Sequence, residues 1–132
     1  MRVRTIRQLV TFRADPQTVY EALMDSAKHS EIICSKAEIS REVGGRFQIR
    51  EAGLSGTNLE LVPGRKIVQH WRAEADDWPD DHYTKVTFRL QPINGGTLLK
   101  FSQTEVPERH YEAISRAWNI YYWQAMKAVL ER

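Results

Sequence analysis

The run from Pro107 to Arg132 constrains the fold more than any other stretch of this sequence. Tyr111, Trp118, Tyr122, Ala125 and Val129 follow the i, i+3, i+4, i+7 spacing of an amphipathic helix. Ile114, Tyr121 and Met126 widen that stripe into a face broad enough to cover a sheet. Pro107 suits the first turn, where a missing N–H costs nothing. A helix with so aromatic a face needs a large apolar partner surface in water.

The rest of the chain supplies that partner as strands. Val3 to Ala14 alternates, with Ile6, Val10 and Phe12 in one phase, and predicts a first strand. Asp15-Pro16 reads as helix cap and first helical residue. Val19, Tyr20 and Leu23 make the apolar face of a short helix ending near Asp25, and a second short helix is expected over Ala27 to Ile33. From Lys36 onward the period is two. Ala37, Ile39, Arg41 and Val43 share a phase, as do Phe47, Ile49 and Glu51, and keeping both sets on one face pairs Val43 with Phe47 around a three-residue loop. Turns are expected at Gly53 to Gly56 and at Pro63-Gly64. Ile67, Gln69, Trp71 and Ala73 form the next inward set. Asp76 to His82 is a polar loop. Thr84, Val86, Phe88 and Leu90 alternate with polar neighbours, and Asn94-Gly95-Gly96 turns the chain into Leu99, Phe101 and Gln103. The order predicts an α+β domain over residues 1–132: an antiparallel meander of about six or seven strands curved around a long C-terminal helix, with two short helices after the first strand.

Composition narrows the function classes. The formal net charge is +2, and basic and acidic residues are interspersed. No single element clusters Lys and Arg, so neither a nucleic-acid nor a membrane surface is expected. The lone Cys34 allows no intrachain disulfide and fits a reducing compartment. Without a signal-peptide pattern or a membrane-span-length window, the expected location is cytoplasmic.

Several motifs carry a family resemblance. Val19 to Leu23, Gly44-Gly45-Arg46-Phe47, Ser55-Gly56, Leu61-Val62-Pro63, Ile67-Val68 with Trp71-Arg72, Trp78-Pro79, and Trp118 with Tyr121-Tyr122 occur in order over nearly the whole chain. The chain resembles the helix-grip superfamily (SRPBCC, START-like, the birch-pollen-allergen fold), and within it the C-terminal domain of the activator of the ninety-kilodalton heat-shock ATPase and its stand-alone bacterial relatives. Ala117 stands where that family often has glycine. The eukaryotic activators carry a separate N-terminal domain for which these residues leave no room, so co-chaperone activity is not carried over with the resemblance. What the resemblance implies is a curved sheet closing over the terminal helix, often around an apolar pocket.

The expected ligand is therefore a small apolar or amphipathic molecule held between sheet and helix. Trp71, Phe88, Phe101, Trp118 and Tyr122 would supply apolar walls. Gln8, Arg41, Glu51, Gln69 and Gln103 are polar residues in the inward phase. Arg41, Glu51 and Gln103 are the candidate polar contacts, and Arg41 and Glu51 fall where they could pair across the first hairpin. The alternatives are strand ends, a phase-flipping bulge, or polar groups that satisfy one another in the core. An open volume of about 300 Å³ or more favours a ligand, and a smaller one a filled core.

A second class of function is protein interaction, with a homodimer or a heat-shock ATPase chaperone as partner. On the terminal helix Ile120 and Trp123 lie roughly 180° and 120° from the Trp118 stripe, among Arg109, Glu112, Arg116 and Asn119. With Trp78 in its loop they form the candidate interaction surface. Catalysis has no positive signal in the sequence, although the superfamily includes cyclases and hydrolases. His29, His70, His82 and His110 lack metal-ligand spacing, the Asp76–Asp81 acidic loop lacks the calcium-loop pattern, and Cys34 with His29 matches no nucleophile motif and suggests a buried or half-buried thiol. No cofactor is called for.

Overall fold

A computed structural model describes residues 1–132. The chain runs β1 (Val3–Phe12), α1 (Pro16–Met24), α2 (Ser26–Ile33), β2 (Ala37–Ile39), β3 (Arg46–Ile49), β4 (Leu54–Val62), β5 (Lys66–Ala73), β6 (Thr84–Ile93) and β7 (Gly96–Pro107). A terminal helix follows in four abutting pieces: a 3-10 turn (Glu108–His110), α3 (Tyr111–Ala117), a π-helical segment (Trp118–Gln124) and α4 (Ala125–Leu130). All seven strands form one antiparallel sheet in the order β1-β7-β6-β5-β4-β3-β2. The meander is closed on one side by β1, which pairs with β7 from Val3↔Pro107 to Phe12↔Thr97.

Local chemistry explains the element ends. Asp15 caps α1 by accepting from the Thr18 amide at 2.7 Å, with Pro16 as its first residue. Asp25 closes α1 and caps α2 through the Lys28 amide at 3.0 Å. Between β6 and β7 the chain turns on Asn94-Gly95, with Gly95 at φ +84° and Ile93 opposite Gly96.

The first hairpin departs from the expected register. Ile39, not Val43, stands opposite Phe47, so residues 40–45 form a loop and Val43 is exposed. Asn58, fully buried on β4, holds this loop: its Nδ2 donates to the carbonyls of Ser40 (2.7 Å) and Glu42 (3.0 Å). Gly56 is a strand residue rather than part of a turn. It lies against the Phe47 ring and the His70 carbonyl, where a Cβ would fall 2.5 Å from Phe47 Cζ.

The terminal helix lies against the inner face of the sheet, and its register changes where it meets the core. In the π segment the i→i+5 repeat adds about one residue to the turn. Trp123 is thereby drawn inward onto Trp118, the rings nearly parallel with centroids 5.5 Å apart. Trp123 is 3% exposed, whereas the uniform 3.6-residue repeat placed it outside. Tyr121 turns the other way and is 61% exposed. Trp118, Tyr122, Trp123 and Met126 are buried against Phe88, Phe101 and Trp71. Burying one such aromatic side chain is worth on the order of 4 kcal/mol at about 25 cal/mol per Å². The exposed pairs that also tie down the helix end, Arg132–Glu31 and Arg13–Glu131, belong to a class worth about 0–1 kcal/mol each. Aromatic burial holds the helix.

Candidate functional site

The three glutamines expected in the inward phase pair with tryptophans. Gln103 Oε1 accepts from Trp118 Nε1 at 2.7 Å, Gln69 Oε1 from Trp71 Nε1 at 2.8 Å, and Gln8 Oε1 from Trp123 Nε1 at 2.6 Å. Each amide nitrogen is also used: Gln103 donates to Thr84 Oγ1, Gln69 to Asn58 Oδ1, and Gln8 to Ser115. A buried indole N–H without an acceptor carries the full desolvation cost of that group. Three glutamines on three strands each remove that cost and fix the ring they face.

Between the sheet and the first half of the terminal helix lies a cleft of about 470 Å³. Its floor is Trp71, Trp118 and Tyr122. Tyr121 and Ile114 line it from the helix, Ile33 to Ser35 from the end of α2, and Glu51, Ala52 and Leu54 from the β3–β4 connection. Twelve of the sixteen lining residues are hydrophobic, which makes the wall apolar. The inner polar lining is already engaged, since Thr84 donates to the Trp71 carbonyl at 3.2 Å and Gln103 is held by Trp118 and Thr84. The one charged lining residue is Glu51. Ser35 and the Lys36 amide hold its carboxyl below the usual carboxylate range.

Behind the floor, His29 is 4% exposed. Its Nδ1 lies 3.0 Å from the Leu23 carbonyl, which can only accept, so Nδ1 carries the proton. Nε2 then accepts from the Tyr122 hydroxyl at 2.9 Å. Burial pushes His29 down to about 4, against a smaller upward pull from the Leu23 carbonyl, and it raises the Tyr122 phenol. Tyr122 is therefore set in the cleft by a neutral imidazole.

Of the five expected wall residues, Trp71, Trp118 and Tyr122 line the cleft. Phe88 and Phe101 are packed beneath Trp118 and Trp123 and do not reach it. Glu51 and Gln103 line it. Arg41 does not, and it pairs with Glu21 on α1 instead of Glu51, because β2 ends at Ile39 and leaves Arg41 in the loop. Trp78, expected at an outer interaction surface, is 6% exposed and is a wall of the cleft. Its Nε1 donates to the His82 carbonyl at 2.9 Å, and Arg72 reaches the Pro79 carbonyl, so the acidic loop folds back onto the sheet. With Trp123 also buried, Ile120 is the member of that proposed surface left exposed. Cys34 is exposed at the cleft rim, in the left-handed conformation that ends α2, rather than buried. The contribution of Trp78 carried one sequence signal, an indole set in an otherwise polar loop.

This architecture, with its helix-floored cleft, has relatives of known family. A family model described as Activator of Hsp90 ATPase homolog 1-like protein matches residues 13–131. The chain belongs to that family. Among curated members, it is 34% identical over 97 residues to a mouse protein named Activator of 90 kDa heat shock protein ATPase homolog 2, a match covering 74% of this chain and 29% of that protein. The chain thus spans under a third of that relative's length. Among solved structures, an HSP90 activator from Plasmodium falciparum superposes with a TM-score of 0.87 at 20% identity, covering 96% of each chain. The Aha1 dimer from Colwellia psychrerythraea gives 0.82 at 16% identity, covering 97% of this chain and 96% of that one. At those identities the two structures establish the shared helix-grip fold. No helix is long and apolar enough to cross a membrane.

Proposed function

We propose that this member of the activator family is a non-catalytic binding module that takes a small apolar or amphipathic molecule into the cleft beneath its terminal helix. The observation that carries the reading is the cleft itself: about 470 Å³ of space, walled by tryptophan, tyrosine and aliphatic side chains, with Gln103 and Thr84 engaged by protein partners. That volume falls in the range of small-molecule sites, about 300–1,000 Å³. An occupant would gain from apolar contact with Trp71, Trp118 and Tyr122, while Glu51 at the rim faces its polar end. Native mass spectrometry against a panel of lipids and aromatic compounds tests this. A one-to-one adduct with an apolar member supports it, and a panel without a single adduct removes it.

Family membership supports a second reading, a protein partner of the heat-shock ATPase type named for the relatives, met in the cytoplasm. Ile120 and Tyr121, side by side and exposed on the terminal helix, offer apolar surface to such a partner or to a second copy of the chain. Pull-down with the host's large heat-shock ATPase, together with its ATP turnover, decides between them. Absence of contact with unchanged turnover removes the chaperone reading.

A further inference from the structure

The outer face of the sheet carries a charge pattern that the linear sequence conceals. Lys66 on β5 stands directly opposite Arg89 on β6, and Arg89 directly opposite Lys100 on β7. Directly opposed residues share a face of the sheet, and neighbouring strands are about 4.8 Å apart, so three cations stand in one row. Like charges placed directly opposite one another destabilise a sheet. Lys85, four residues before Arg89, and Arg7, two residues before Leu9, extend the same face. Of these five cations only Lys66 has an ion-pair partner, Glu60 at 3.1 Å. The outward positions of β6 from Lys85 to Gln91 and of β7 from Leu98 to Thr104 carry no carboxylate. The chain's net charge is only +2, so this face is locally far more basic than the whole.

We infer that this face is a docking surface for an acidic segment of a partner protein. Charge complementarity supplies the sign of the partner, since an array of cations of which four of five lack an ion-pair partner gains most from carboxylates. One further feature selects a polypeptide. Leu9 is 71% exposed directly opposite Lys100, an apolar contact at the end of the cationic row. The inference is independent of the cleft, which opens on the other side of the sheet, so failure of either leaves the other standing.

The probe is a fluorescein-labelled peptide rich in Asp and Glu with one central leucine, titrated with the full chain. A single-stranded oligodeoxynucleotide of equal length and phosphatidylcholine–phosphatidylserine vesicles run in parallel. The peptide is expected to bind, to weaken steeply between about 50 and 200 mM salt, and to lose roughly tenfold or more in the combined variant Arg89→Glu with Lys100→Glu. Arg116→Glu, on the outer side of the terminal helix, should bind as the parent does. Arg89→Gln with Lys100→Gln removes charge without adding any and should show an intermediate loss. Because these changes relieve repulsion, the melting temperature should hold or rise. Equal binding by the parent and both combined variants, an equal loss in Arg116→Glu, or tighter binding to the oligonucleotide or the vesicles overturns the inference.

Discussion

The indole nitrogen of Trp118 donates to Oε1 of Gln103 at 2.7 Å, joining the floor of the cleft to the strand beneath it. Gln103 also donates to Thr84, so one side chain orients the ring and anchors the neighbouring strand. Gln103→Leu keeps roughly the same volume and leaves the Trp118 N–H without an acceptor. The expected cost is about 1–3 kcal/mol, read as a lower urea midpoint, together with a changed Trp emission spectrum. An unchanged midpoint would mean that a bound water or a rotated ring replaces the glutamine.

His29 makes stability depend on pH. Its folded value of about 4 lies below the ordinary 6.5, so the unfolded chain takes up the proton first. The native state therefore loses stability as pH falls from about 6.5 to about 4, by up to about 3 kcal/mol, and the contribution is flat above 6.5. Urea midpoints measured across that window should fall more steeply for the parent than for His29→Gln. Tyr122→Phe removes the donor to Nε2 and should cost about 1–2 kcal/mol at neutral pH.

Gly56 should tolerate no side chain. A Cβ there would sit 1.8 Å from the His70 carbonyl oxygen and 2.5 Å from the Phe47 ring, and the carbonyl belongs to the β5 backbone. Gly56→Ala is expected to cost more than about 3 kcal/mol, at the upper end of single substitutions, and to lower the melting temperature sharply. Gly44→Ala, where nothing lies within 4 Å of the added carbon, is a milder comparison that isolates the strain of φ +84°.

The features legible in the sequence are those with local causes. The Asp15-Pro16 cap, the Asn94-Gly95 hairpin and the alternation of β6 and β7 each follow from neighbours in the chain. The π segment does not, because choosing an i→i+5 bond over i→i+4 is a tertiary effect: it brings Trp118 and Trp123 together over Phe101, and Gln8, 115 residues away, completes the arrangement. A uniform helical repeat therefore placed Trp123 outside. The β2–β3 loop failed for a related reason, since its anchor is Asn58 on a different strand. Trp78 entered the cleft through its own hydrogen bond to the His82 carbonyl and that of Arg72 to the Pro79 carbonyl, neither of which any periodicity encodes. The basic face was hidden because its cations alternate with core residues on separate strands. Only the register aligns Lys66, Arg89 and Lys100.

A titration of tryptophan fluorescence tests the cleft most directly, run with an apolar compound on the parent chain and on Ala117→Phe. Ala117 lines the cleft at the end of α3 and is half-buried, so a phenyl group there fills the space without entering the packed core. Saturable one-to-one quenching is expected in the parent, lost in a variant whose circular dichroism and melting are unchanged. Quenching that persists in the folded variant, or a parent that binds no apolar compound at all, would contradict it.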